Sequence, residues 1–145
     1  VANLWVQHCV LSRATRHYGA VPQSYDLLGV NYFHTVAAGL EFPRPAGPLD
    51  LFVRYLARDL PPRRIRLTIR HLRTARAVYD RLVWVSSVAQ PGFVVIDQTY
   101  KLVGLTFPMD GRYVVRLRHR TRPDYGQPRR WVTLASEPFS VLRSP

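Results

Sequence analysis

Residues 107–117, Phe-Pro-Met-Asp-Gly-Arg-Tyr-Val-Val-Arg-Leu, decide the fold. Pro108 fixes one backbone angle and Asp110-Gly111 supplies residues that tolerate positive φ, so the stretch opens on a tight turn. Tyr113, Val115 and Leu117 then alternate with Val114, Arg116 and Arg118, the period-two pattern of a strand buried on one face. A second apolar segment, Trp131 to Leu142, follows the Pro/Gly loop at 122–128 and is placed to return beside the first.

Working outward, the cleanest alternation lies at Arg63 to Arg73: Ile65, Leu67, Ile69 and His71 on one face, Arg64, Arg66, Thr68 and Arg70 on the other. Asn3 to Leu11 is apolar on both faces, which predicts an inner strand with Leu4, Val6, His8 and Val10 on one side and Trp5, Gln7, Cys9 and Leu11 on the other. Arg13 to Ser24 is a polar connection. Tyr25 to Val36 follows as one long apolar segment interrupted by Gly29, which suggests a bulge or a close backbone approach. The proline-dense stretch Glu41 to Pro48 reads as a loop crossing between sheets. Leu49 to Ala57 fits a strand with Leu51, Val53 and Tyr55 together, although Leu51, Phe52, Tyr55 and Leu56 also make a helical stripe. Thr74 to Val88 has two readings, a short helix capped by Thr74 or a strand through Val83-Trp84-Val85; the strand formers favour the second. Phe93 to Phe107 is strand-like throughout, with Gly104 as a second bulge.

About eight strands, with turn signals between them and at most one short helix, predict an all-β protein: an antiparallel immunoglobulin-like sandwich forming one domain over 1–145. Cys9 ending a hydrophobic first strand, then Leu27-Leu28-Gly29-Val30, Phe42-Pro43, and Phe107-Pro108 followed by Gly111 and Tyr113, come in an order that resembles a group of short uncharacterised bacterial proteins held to be immunoglobulin-like or C2-like sandwiches. The resemblance spans nearly the whole chain and implies a fold but no activity. The chain departs from that group in its basicity and in the insertion-like Arg73 to Arg81 segment.

The totals bound the function. Formal net charge is +12, with 20 arginines, one lysine (Lys101), two glutamates and seven aspartates. Codon bias explains the preference for arginine over lysine but not the shortage of acids, so an acidic partner and a merely solubilising surface stay as alternatives. One cysteine excludes an intramolecular disulfide and a multi-cysteine zinc site, and a reducing, cytoplasmic setting fits best. No apolar run reaches transmembrane length, so no membrane span is expected. The chain opens on Val1-Ala2 without methionine, which leaves open a preceding segment.

Motifs for catalysis do not emerge. His8 and Cys9 are neighbours on a strand and point to opposite faces, so they cannot pair, and Cys9 reads as a small buried hydrophobe. The histidines His8, His17, His34, His71 and His119 show no metal-ligand spacing. The expectation is therefore no enzyme, no cofactor, no metal and no small-molecule substrate. The remaining constellation is cationic. Arg64, Arg66 and Arg70 share one strand face and Arg116, Arg118 and Arg120 share another. If the two strands are neighbours, these arginines merge into a basic plate continued by Arg129 and Arg130, with Trp131 nearby. The bland alternative is that an outer sheet face must be polar, and arginine serves while its stem covers apolar surface. The expected function is a non-enzymatic binding or assembly module whose plate meets an acidic partner, by protein binding or self-assembly. The alternative is nucleic-acid binding through phosphate contacts and Trp/Tyr stacking, and a remote one is an enzyme with dispersed site residues.

Overall fold

The structure is a computed structural model that describes residues 4–17, 25–30, 33–36, 41–59, 63–86, 90–120, 126 and 128–143. The described chain is all strand and turn. In order it runs β1 (Leu4–His17), β2 (Tyr25–Val30), β3 (Phe33–Val36), β4 (Arg44–Pro45), β5 (Asp50–Arg58), β6 (Arg63–His71), β7 (Ala77–Val85), β8 (Phe93–Lys101), β9 (Thr106–Phe107), β10 (Gly111–Arg120) and β11 (Trp131–Arg143). One sheet has the order β2-β1-β5-β8 and the other β3-β11-β10-β6-β7, with β4 and β9 forming a small ladder of their own. All pairings are antiparallel except β3 with β11.

This is the expected immunoglobulin-like sandwich. The run β11-β10-β6-β7 reproduces the G-F-C sheet with its added C′ strand, opposed by β1, β5 and β8. Period-two burial explains the layers. Leu51, Val53, Tyr55 and Ala57 of β5 face Ile65, Leu67 and Ile69 of β6 and Tyr113, Val115 and Leu117 of β10 in one core.

The turn at 108–111 is fastened by Tyr113, whose hydroxyl donates to the Met109 carbonyl at 2.5 Å, a tyrosine corner. His71 supports it from β6. Its Nδ1 accepts from the Thr74 backbone N–H at 3.3 Å, which makes Nε2 the donor to the Asp110 carbonyl at 3.1 Å. The ring meets Tyr113 edge-on at 4.9 Å.

Several element-level expectations need correction. The first strand does not keep one parity: a register shift between Val6 and His8 moves the inward set from Leu4 and Val6 to Cys9 and Leu11, and His8 is exposed. That strand also continues to His17, through half of the expected polar connection. The segment 25–36 is two strands in different sheets, and β2 pairs β1 with no register shift at Gly29. The segment 93–107 breaks after Lys101, where Gly104 takes φ 78° in a turn and makes no bulge. The strand readings hold for the other two segments: β7 (Ala77–Val85) lies within 74–88, of which 87–88 fall outside the described residues, and β5 (Asp50–Arg58) covers nearly all of 49–57. Residues 18–24, 37–40 and 121–125 of the expected loops lie outside the described residues.

Candidate anion-docking face

Three of the long strands alternate regularly enough to send most of their apolar side chains inward and most of their arginines outward. On β6 the outward positions are Arg64, Arg66, Thr68 and Arg70; on β10 they are Arg112, Val114, Arg116, Arg118 and Arg120; on β7 they include Asp80, Leu82 and Trp84. β6 and β10 are hydrogen-bonded neighbours, with Arg118 opposite Arg66, Arg116 opposite Thr68 and Val114 opposite Arg70. The six strand arginines expected at the plate are therefore on one surface. Arg129 and Arg130 are exposed on the approach to β11 and adjoin Trp131 along the chain.

Register explains how so many guanidinium groups coexist. Asp80 on β7 lies opposite Thr68 and takes Arg66 by two bonds, Nε to Oδ1 at 2.9 Å and Nη2 to Oδ2 at 2.6 Å. This fork-to-fork pair is strongly directional. The hydrogen bond from Arg66 holds the Asp80 carboxyl below its ordinary range, with the charges of Arg66, Arg118 and Arg70 adding to it. The two flanking indoles add to this compensation. Arg64 lies over Trp84 at 4.8 Å, and Arg66, Arg118 and Arg120 lie over Trp131 at 5.7, 5.9 and 5.3 Å. Each such contact is worth roughly 0.5–1 kcal/mol when exposed.

Compensation is incomplete. Arg118 is pushed below its ordinary pKa, first by partial burial and then by the like charges of Arg66, Arg70 and Arg116. Among the described residues, Arg70, Arg116, Arg118 and Arg120 make no ion pair. At the centre is Thr68, fully buried beneath the arginines, its Oγ1 without a hydrogen-bond partner; Nε of Arg70 and of Arg118 are in the same position.

The outer face of the other sheet is a useful contrast. Arg54 of β5 holds Asp97 of β8 by two bonds of 2.7 and 3.0 Å, and the Asp97 side chain is almost wholly covered. Asp50 lies opposite Lys101 on the same strands. On the β6–β10 face, among the described residues, arginines outnumber the one carboxylate, Asp80.

Sequence reasoning missed Asp80, Trp84 and the central role of Thr68. Asp80 and Trp84 fell in the ambiguous 74–88 segment, where a strand assignment alone does not say which neighbour each residue meets. Parity could have suggested them, because Asp80, Leu82 and Trp84 alternate with Tyr79, Arg81 and Val83.

Elsewhere, a groove of about 750 Å³ is lined by residues of 71–73, 109–112 and 141–143, but both ring nitrogens of its histidine, His71, are already engaged. Among the described residues no three His, Cys, Asp or Glu side chains gather as a metal set, and no helix is long and apolar enough to cross a membrane. No protein-family model matches the chain, and no curated protein matches it either.

Proposed function

We propose that this domain is a non-enzymatic binding module that docks an acidic protein partner on the outer face of β6 and β10. The observation that carries the proposal is the register that sets Arg66 against Arg118 and Arg116 against Thr68, crowding like charges on one face with one carboxylate among the described residues there. A protein does not gain stability from like charges set directly across a sheet, so the arrangement is better understood as serving a ligand than as serving the fold. Guanidinium groups lying over Trp84 and Trp131 are held with part of their rotamer freedom already spent, which lowers the ordering cost of contacting carboxylates.

The test is fluorescence anisotropy with a labelled extended peptide carrying Asp or Glu at alternate residues. Its carboxylates then repeat at about 6.8 Å, the spacing of alternate arginines along a strand. Binding that weakens at least tenfold in Arg116→Ala/Arg118→Ala, with Arg58→Ala on the opposite sheet unchanged, supports the proposal. Binding indifferent to both removes it.

A second reading, single-stranded nucleic acid, is favoured by the two tryptophans that flank the arginines, since bases stack on aromatic faces. Those indoles already carry guanidinium groups, so a base would have to displace a cation, and this ranks the acidic protein first. Affinity for an oligonucleotide falling steeply between low and moderate salt would reverse the ranking.

A further inference from the structure

We infer that the arginines surrounding Thr68 form a binding site for one phosphomonoester group, presented as a phosphorylated side chain on the acidic partner. The inference rests on the docking face proposed above and specifies what its centre recognises.

Four observations converge. First, the register gathers arginines around the short Thr68: Arg66 and Arg70 precede and follow it at alternate positions on β6, Arg116 lies directly across on β10 and Arg118 diagonally across, with Asp80 directly across on β7. Thr68 is itself fully covered, so the guanidinium groups around it form the surface that a ligand meets. Second, the local charge is unbalanced. Asp80 is committed to Arg66 through both carboxylate oxygens, which leaves Arg70, Arg116 and Arg118 without an ion-pair partner among the described residues.

Third, polar capacity at this point is unused. The Thr68 hydroxyl and the Nε atoms of Arg70 and Arg118 are buried and meet no hydrogen-bond partner. Fourth, burial first and then the charges of Arg66, Arg70 and Arg116 hold Arg118 below its ordinary pKa, so an anion among these arginines offsets their mutual repulsion.

The chemistry selects the class of anion. A lone carboxylate brings one charge and two oxygens in a plane, which Arg66 shows is satisfied by one guanidinium fork. A phosphomonoester brings close to two charges and three terminal oxygens arranged about a tetrahedral centre, a match for three forks arriving from two strands. A phosphodiester brings one charge and two free oxygens, so it leaves more of the ring unmatched. Recognition of phosphorylated segments by clustered arginines is an established binding mode in general.

The experiment compares a labelled acidic peptide carrying a central phosphoserine with its unphosphorylated twin, using the whole domain. Phosphorylation is expected to tighten binding about tenfold or more, with inorganic phosphate displacing the peptide and acetate at matched ionic strength failing to do so. Arg116→Ala and Arg118→Ala should abolish the gain from phosphorylation. Arg116→Lys, which keeps the charge but loses the fork, should remove most of it, and the nearly isosteric Thr68→Val should reduce it; circular dichroism and thermal unfolding verify that each variant is folded.

Equal affinity for the two peptides would overturn the phosphate inference while leaving the acidic docking face intact. Failure of both peptides to bind would overturn the docking face itself. Tighter, steeply salt-dependent binding of a single-stranded oligonucleotide than of the phosphopeptide would overturn the assignment to a monoester in favour of a nucleic-acid backbone.

Discussion

Arg118 of β10 and Arg66 of β6 lie directly opposite each other on adjacent strands, and the two guanidinium groups share the Trp131 ring at 5.9 and 5.7 Å. Directly opposed like charges in a sheet are destabilising. Arg118→Thr should therefore raise stability by about 0.5 kcal/mol in urea unfolding while weakening acidic-peptide binding. Asp80→Asn should act the other way, lowering stability by roughly 0.5–1 kcal/mol because the partly exposed pair with Arg66 is lost. Both differences should shrink towards zero in about 1 M salt, where the screening length falls to roughly 3 Å. Differences that persist unchanged in salt would show that packing, not charge, sets them.

Protonation of His119 should make the domain acid-sensitive. The ring is buried at the inner face of β10, and its Nδ1 sits 3.2 Å from Nη1 of Arg63. Burial first, and the Arg63 charge second, lower its pKa below the ordinary value. A lowered folded-state pKa means the unfolded chain binds the proton more tightly, so stability is fully present above about pH 6.5 and is lost as pH falls through the folded-state value. Urea midpoints measured from pH 7.5 downwards should fall below about pH 6.5, and His119→Phe should flatten that slope. An unchanged slope in the variant would assign the acid sensitivity to other groups.

Gly111 holds the corner together. Its φ is 123°, and a Cβ added there would stand 2.6 Å from Nε2 of His71, a ring pinned by the Asp110 carbonyl and the Thr74 N–H. Gly111→Ala should cost about 2–3 kcal/mol, from backbone strain together with the displaced histidine bonds. Tyr113→Phe, which removes only the hydroxyl that donates to Met109, should cost about 1–1.5 kcal/mol. Thermal or urea unfolding of the two variants checks both the order and the sizes.

Cys9 should be chemically quiet. Burial, with Glu137 adding to it, pushes its thiol up to about 12. Thiolate is the reactive form, so at pH 8 a disulfide reagent should modify the native protein about a thousandfold more slowly than a free thiol. Modification should become fast once the domain is unfolded. Rapid native reaction would mean that β1 opens readily.

How much was legible before folding follows from the range of each interaction. Period-two alternation depends only on near neighbours, so Ile65, Leu67 and Ile69 could be assigned inward and Arg64, Arg66 and Arg70 outward from the chain alone. The turn at Asp110-Gly111 was equally local, because only certain residues tolerate its backbone angles. Parity failed where one residue was inserted: the irregularity after Val6 turned His8 outward and Cys9 inward, and nothing in the side chains announces it.

Composition and alternation thus determined that this protein is built of strands with arginine on their outer faces. Only the tertiary structure decided that β6 and β10 are neighbours, that Arg118 meets Arg66, and that Asp80 and Trp131 sit among them. The physical reason is that pairing between strands some 50 residues apart is chosen by the packing of the whole core. A charge cluster assembled across that pairing has no signature along either strand by itself.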